Sequence, residues 1–304
     1  MKDCFLIPEK NQFYLLGTEY PDPFKPNSEG LHLFNSKDLN NWEKSTLILN
    51  NKNIPANAWY KDQVTAPEIH YFNNKYYLIF CARNNQTRPY KKMGIGIAVS
   101  DNIDGDYKVL NTKKPLEYGS NPTLVFHDNK SFMSYDMDGR FYMSEIDLPN
   151  ANLMTAPKEF LGPNTLKEDY KYLDNPQFFY HNGLYHLTFS QFYGGYIIKV
   201  FDMVASHPMG PYTFTENKLL YTWLEAEADM VLKAKYPSQN YFAPPTQVIF
   251  SNQIVKLSDN KFINVFHSSE KYSEPYLCID PVKISGNTLQ VLEPKAKTHS
   301  LVLE

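Results

Sequence analysis

The sequence has few cysteines and few glycines for its length. Three cysteines, Cys4, Cys81 and Cys278, are spread over 304 residues, whereas a disulfide framework or a zinc site needs regularly spaced sets. We therefore predict buried free thiols. With only 13 glycines beside 23 tyrosines and 20 phenylalanines, the composition favours strands that pack large rings against one another.

Long hydrophobic runs and an excess of positive charge are also missing. No segment approaches the roughly 18 uninterrupted apolar residues of a membrane-spanning helix. Acidic and basic residues are interspersed and the net charge is −3, so no positive field would attract a phosphate backbone or an anionic lipid. We predict neither a nucleic-acid nor a membrane partner.

The start of the sequence lacks an apolar leader. Met1, Lys2 and Asp3 run straight into the first strand-like segment, whereas a secretory signal would carry an apolar stretch of about 7–15 residues there. This predicts a cytoplasmic protein, or the mature form of a processed secreted one.

What the sequence does contain is one β-hairpin pattern written five times. In each copy an apolar strand-like run is followed by a polar turn and by an aromatic-rich second strand. The copies span residues 3–17, 66–80, 121–135, 175–189 and 251–266. A period of roughly sixty residues, with strands inside each unit, is typical of a β-propeller.

We therefore predict an all-β fold, a five-bladed β-propeller of four-stranded antiparallel blades, with an all-β sandwich as the alternative. No Pro- or Gly-rich linker divides the chain, so residues 1–304 are expected to form a single domain. Residues 219–237 are the only long stretch with a helix-favouring composition, and Glu225 and Glu227 would lie on the solvated face of that helix.

The propeller predicts where a site would lie. The first strand of each blade lines the central axis, so the leading residues of the five strands meet around one opening. These residues are Asp3, Ala66 (or Thr65), Asn121, Asp174 (or Asn175) and Ser251. Two carboxylates at one pocket are the minimum for glycoside hydrolysis, in which one activates water and the other protonates the leaving oxygen.

Aromatic residues near such a pocket can stack on the faces of sugar rings. Trp59 and Tyr60, in the loop between the first two blades, and Tyr193 are predicted to do so, although core packing is the commoner role of such rings.

Several motifs occur in order along the chain. They are KDCFLIPE followed by FYLLGT, SKDLNNW, TAPEIHYFNNKYYLIF, AVSDNIDGDYK, and the two hairpins that begin with NP and DNP. Together they resemble glycoside hydrolase family 43, the five-bladed arabinofuranosidases, xylosidases and arabinanases, over nearly the whole chain. The resemblance implies inverting hydrolysis of arabinose- or xylose-containing oligosaccharides.

The resemblance also assigns three catalytic positions. Asp3 matches the general base. Asn121 stands where the family has the aspartate that raises the pKa of the acid, and an amide carries no charge with which to do so. Asp174, before Asn175, stands at the position of the glutamate that acts as general acid and is one methylene shorter.

Three further residues are predicted to contact the substrate: Glu68, Asn175 and His267. His267 matches the histidine that lines the axis in this family, where it holds water or a calcium ion. The resemblance requires no cofactor, and it allows a calcium ion at the propeller axis near His267.

Two alternatives stay open. The changes at Asn121 and Asp174 weaken the acid, which favours a carbohydrate-binding propeller with little or no hydrolysis. The other alternative is a hydrolase of a sister five-bladed family, whose acid would come from Glu225, Glu227 or His181. The sugar, the linkage and the oligomeric state are also left open.

Overall fold

A computed structural model of the chain describes residues 1–19, 29–85, 93–162, 172–193, 197–224, 241–242, 248–269 and 276–291. These residues form 22 β-strands and one short 3-10 helix at Asn51–Asn53, with no α-helix among them. Within the described ranges, no helix has the length and hydrophobicity needed to cross a membrane.

Five separate antiparallel sheets follow one another along the chain, and each is one blade. Blade 1 comprises β1 (Lys2–Glu9), β2 (Gln12–Thr18), β3 (Gly30–Ser36) and β4 (Glu43–Asn50). Blade 2 comprises β5 (Gln63–Phe72), β6 (Lys75–Arg83), β7 (Gly94–Ser100) and β8 (Lys108–Val109). Blade 3 comprises β9 (Ser120–His127), β10 (Lys130–Met137), β11 (Arg140–Asp147), β12 (Asn152–Leu153) and β13 (Lys158–Leu161).

The last two blades continue the same order. Blade 4 comprises β14 (Tyr172–His181), β15 (Leu184–Tyr193), β16 (Ile197–Ala205), β17 (Thr213–Leu224) and β18 (Tyr241–Phe242). Blade 5 comprises β19 (Val248–Ser258), β20 (Lys261–Ser269), β21 (Tyr276–Ser285) and β22 (Thr288–Val291). The predicted five-bladed propeller is confirmed, with two refinements. Strand β11 pairs with two short pieces, β12 and β13, and β18 adds a parallel pair to β17.

Local turn chemistry explains why the inner hairpins form. In β5–β6 and in β9–β10 the two connecting residues both have positive φ: 48° and 60° at Asn73 and Asn74, 48° and 59° at Asp128 and Asn129. Two-residue loops of this kind match the right-handed twist of the flanking strands, and Asn and Asp tolerate the left-handed conformation. The repeated polar turns therefore set the register of the repeated hairpins.

Apolar side chains fill the spaces between successive blades. Leu33 and Ile48 of blade 1 belong to one cluster with Leu78 and Phe80 of blade 2. At the other side of blade 1, Leu6 packs in a cluster with residues of blade 5. The first and last blades thus close the ring through a hydrophobic core, with free Cys4 and Cys81 buried and Cys278 half-buried, as predicted.

A polar contact supports the same closure. The side chain of Gln253 on β19 accepts the backbone N–H of Leu6 at 2.8 Å and donates to the Leu6 carbonyl at 3.1 Å. An amide side chain here imitates a neighbouring strand and satisfies both backbone groups of Leu6.

The helix expected in residues 219–237 is wrong for its first part. Residues 219–224 belong to β17, where Thr222, Trp223 and Leu224 pair with residues of β16. The sheet ladder overrides a weak local propensity. Residues 225–237, with Glu225 and Glu227, lie outside the described residues.

Candidate active site

Each inner strand is broken by a bulge at the same place near its start. The register shifts between Lys2 and Phe5 of β1, and the other four inner hairpins show a corresponding shift. At each break one residue has φ between 45° and 56°: Asp3, Ala66, Asn121, Asn175 and Ser251. Bulges re-aim side chains and occur beside active sites. The five positions named from the repeats therefore share one backbone conformation, with Asn175, not Asp174, as the fourth equivalent.

A second set of equivalent residues lies across from the bulges. The residue before each bulge pairs with one residue at the end of the second strand of its blade: Thr18, Cys81, Asp136, Ser190 and His267. These two sets surround the same end of the axis. They bring together side chains that are far apart in the sequence.

Hydroxyl groups hold the half-buried carboxylate of Asp3. Thr18 Oγ1 donates to Oδ2 at 2.8 Å and Ser251 Oγ donates to Oδ1 at 3.2 Å. The Thr18 hydroxyl also accepts the backbone N–H of Ala66 at 2.9 Å. Blades 1, 2 and 5 thus cooperate to orient one carboxylate, which is a natural position for a group that activates water.

A buried polar cluster lies opposite, between blades 3 and 4. Asn121 Nδ2 donates to Asp174 Oδ1 at 2.6 Å and to Asp136 Oδ2 at 2.8 Å. The backbone N–H of Asn175 also donates to Asp136 Oδ2, at 3.4 Å. Asn121 therefore bridges two carboxyl groups that come from different blades.

The environments of these two carboxyl groups favour the protonated form. Loss of hydration raises the pKa of Asp174 well above its ordinary value, and the charges of Asp136 and Asp3 raise it further. Burial raises the pKa of Asp136 to about 6, against hydrogen bonds from Asn121 and Asn175 that act in the opposite direction. The raised pKa of both carboxyl groups therefore favours one retained proton in the pair, with the larger upward shift at Asp174.

His267 contacts the backbone of Asp3, the candidate base. The backbone N–H of Asp3 donates to His267 Nδ1 at 3.2 Å, so this nitrogen is the acceptor. Burial lowers the pKa of His267 to about 4, although the Asp3 carboxylate acts in the opposite direction. The imidazole is therefore neutral at pH 7, and the expected meeting of Asp3, Ser251 and His267 at the junction of the first and last blades is observed.

Two of the three aromatic residues expected at the mouth, Trp59 and Tyr60, lie in the core. Trp59 is 1% exposed, its Nε1 donates to the Asn111 carbonyl, and its ring stacks on Phe80. Tyr60 is buried in the same cluster. The loop places both rings in the core, because large rings fill the space between two blades, so a sugar-stacking role for them is not supported. The side chain of Tyr193 lies outside the described part of β15.

Glu68 lies deeper along the axis than expected for a substrate contact. The residue is 5% exposed, and its carboxylate accepts a hydrogen bond from Gln177 Nε2 at 2.5 Å and lies 2.8 Å from His70 Nε2. Below it, a cavity of about 600 Å³ opens toward the hairpin turns at the opposite end of the propeller. Both carboxylate oxygens of Glu68 already have partners, which favours a structural role. Asn175 is buried beside Asp136.

Reasoning from the sequence missed Asp136 and Thr18. Both end the second strand of an inner hairpin, and alignment of the hairpins places them with His267. Aligning the five hairpins could have identified Asp136 from the sequence, because it is the only carboxylate among the five residues that pair with the position before each bulge.

In the part of the chain that the structure describes, no three His, Cys, Asp or Glu side chains are arranged to hold a metal ion. Calcium near His267 stays a prediction.

Comparison with known proteins adds a curated relative. An extracellular endo-α-(1→5)-L-arabinanase of Thermotoga petrophila is 28% identical over 258 residues, which cover 71% of this chain and 51% of that protein. The chain thus spans about half the length of this relative. The cytoplasmic location predicted from the start of the sequence is wrong in the light of this match, because the relative is extracellular and the prediction depended on the first residues alone.

Solved structures show the same fold. A thermostable family-43 glycoside hydrolase superposes with a TM-score of 0.73 at 19% identity, covering 98% of this chain and 94% of that one. An exo-1,5-α-L-arabinanase from a bovine ruminal metagenomic library gives 0.68 at 13% identity, covering 96% of each chain.

The model of glycosyl hydrolases family 43 matches residues 1–239, which is more than half of the chain. This match confirms the resemblance seen in the motifs and removes the alternative of a sister family. The chain belongs to glycosyl hydrolase family 43.

Proposed function

We propose that the chain is a glycoside hydrolase that cleaves arabinan- or xylan-type oligosaccharides with inversion, with Asp3 as general base and Asp174 as general acid. One observation carries the proposal: two carboxyl groups at one end of the axis have opposite environments. Hydroxyl donors surround Asp3, whereas partial burial and neighbouring carboxylates keep the proton on Asp174. Pairs of carboxyls with divergent environments are how glycosidases divide acid and base roles.

The proposed reaction is a single displacement. Asp3 accepts a proton from a water molecule as the water oxygen forms a bond to the anomeric carbon. The bond from that carbon to the leaving oxygen breaks, and the leaving oxygen takes the proton of Asp174. The reaction ends with a protonated Asp3, an ionised Asp174 and a product of inverted configuration, and exchange with solvent restores the starting state.

The substrate class rests on the relatives. The curated relative is an endo-arabinanase and a structural neighbour is an exo-arabinanase. Arabino-oligosaccharides are therefore the first substrates to test, with xylo-oligosaccharides second. Exo action shortens the oligosaccharide by one unit at a time, whereas endo action produces a mixture of product lengths.

Two departures from the family pattern favour a second candidate, a carbohydrate-binding propeller with weak hydrolysis. Asn121 is uncharged, and Asp174 is one methylene shorter than the glutamate at this position in the family. A weak general acid slows hydrolysis most for substrates with poor leaving groups, because their leaving oxygen needs protonation. An enzyme of this kind would release nitrophenol from aryl glycosides and leave arabinobiose intact.

The substitution Asp3→Asn tests the proposal. It keeps the size of the side chain and removes the base, so turnover of arabino-oligosaccharides should fall by roughly 10²–10⁴-fold. The matched control is Asp259→Asn, in an exposed turn of blade 5 with a side chain 96% exposed, which should keep parental turnover. Parental turnover in a folded Asp3→Asn variant would exclude Asp3 as the base.

A further inference from the structure

The charge missing at Asn121 has a substitute one strand away. Asn121 lies on β9, and Asp136 lies on β10 opposite Ser120, the residue before Asn121. Both side chains point into the space that contains the Asp174 carboxyl group, since Asn121 Nδ2 contacts both carboxylates. Asp136 is 8% exposed, so its charge acts where water screens little.

Buried carboxylates rarely occur without a role or a partner, because loss of hydration penalises the charge. Asp136 receives hydrogen bonds from Asn121 and from the backbone N–H of Asn175. The Nδ2 atom of Asn121 lies within hydrogen-bond distance of both Asp136 and Asp174, which places the two carboxyl groups beside one another. Two carboxyl groups in such contact share one proton.

We propose that Asp136 is a positioning residue for the general acid, and that its carboxylate supplies the negative charge that Asn121 lacks. This inference rests on the proposed role of Asp174. The family's charge would thus have moved from the first to the second strand of blade 3, and the amide at position 121 would have become a bridge that holds the two carboxyl groups together.

The arrangement explains how Asp174 stays protonated until it is needed. Ionised Asp136 disfavours a second negative charge beside it, which keeps Asp174 in its protonated form. Asn121 uses its two N–H groups on Asp174 Oδ1 and Asp136 Oδ2, which fixes Oδ1 as an acceptor and leaves Oδ2 of Asp174 to hold the proton. When the leaving oxygen takes that proton, the O–H bond of Asp174 breaks and Asp136 remains ionised throughout.

The pH dependence involves few other groups. The titratable groups near Asp136 among the described residues are the carboxyl of Asp174 on β14, the carboxylate of Asp3 on β1 and the buried thiol of Cys81 on β6. The thiol stays protonated, because burial raises its pKa well above the usual value. The alkaline limb of the pH profile therefore reports the Asp136–Asp174 pair.

The test compares the parent with Asp136→Asn, with the double variant Asn121→Asp/Asp136→Asn, and with Asp128→Asn, in the exposed turn between β9 and β10 at the opposite end of the propeller. Removing the charge in Asp136→Asn should lower kcat/KM on arabino-oligosaccharides by about 10–100-fold and move the alkaline limb down by about one pH unit or more. The double variant moves the negative charge to position 121, where the family has its aspartate. It should restore the alkaline limb to the parental pH and recover most of the rate. Asp128→Asn should match the parent.

A merely structural role for Asp136 gives a different result. The rate of Asp136→Asn would fall at every pH, and the alkaline limb of its pH profile would stay at the parental pH. The double variant would not recover the rate. This result would overturn the inference. If Asp136→Asn does not fold, the double variant is the test. An alkaline limb at the parental pH supports the inference, and an alkaline limb at lower pH contradicts it. Failure of the proposed function itself would appear separately, as unchanged turnover in Asp3→Asn.

Discussion

At the scale of single residues, the chemistry of the site depends on which carboxyl groups are removed from water and which receive hydrogen bonds from neighbouring donors. Asp3 and Asp174 are the same residue type, yet hydroxyls surround one and carboxyls surround the other. The different behaviour of the two carboxyl groups therefore comes from their neighbours, which belong to blades 1, 3 and 5.

His267 offers a test at this scale, because it is buried and neutral. Its pKa of about 4 lies below the ordinary value of about 6.5, so the unfolded chain binds more protons between these two pH values. The contribution to stability is complete above pH 6.5 and is lost as the pH falls toward 4, by on the order of 3 kcal/mol.

The measurement is urea unfolding of the parent and of His267→Asn, whose Oδ1 can still accept the Asp3 N–H but does not titrate. The difference in free energy of unfolding between parent and variant should shrink as the pH falls from 7 to 4.5. A difference that is constant over this range would show that His267 does not titrate in the folded protein as inferred.

At the scale of elements, the inner hairpin is the unit that carries both the turn and the site. Its polar turn sets the register at one end, and the bulge at the other end turns one residue toward the axis. The same element thus fixes where Asn121 and Asp136 meet.

The turn itself can be tested with Asn129→Gly. Asn129 has φ of 59° as the second residue of a two-residue turn, and glycine adopts this conformation without steric cost. The free energy of unfolding should rise by about 0.5–1 kcal/mol, measured in urea.

The matched control is Asn11→Gly, in the corresponding turn of the first hairpin, where φ is negative. There glycine should give no gain, because only its greater flexibility in the unfolded chain remains. Equal gains at both positions would show that the turn conformation is not the cause.

The fold was predictable at this scale because its signals are local. Turn residues and alternating apolar residues recur in each hairpin, so five copies could be recognised and counted. Asp136 was not predicted, because its place beside Asn121 depends on the register across the bulge. Trp59 was placed at the mouth for a similar reason: the polarity of a loop does not reveal whether its rings turn into the core.

At the scale of the whole molecule, ring closure brings the two proposed catalytic groups to one opening. Asp3 begins the first blade and Asp174 begins the fourth, and the meeting of blades 5 and 1 fixes Asp3 through Ser251 and His267. The motifs predicted these two residues, and the family match supports the chemistry. The proton-sharing cluster became visible only when blades 3 and 4 were seen side by side.

The central claim is that Asp174 protonates the leaving oxygen, and the most direct test is the dependence of rate on the leaving group. For Asp174→Asn, turnover of arabinobiose or xylobiose should fall by roughly 10²–10⁴-fold. Release of nitrophenol from the matching aryl glycoside should fall far less, because that leaving oxygen needs little protonation. Asp128→Asn, in an exposed turn at the opposite end of the propeller, is the control. Equal losses on both kinds of substrate, or no loss on either, would contradict the assignment.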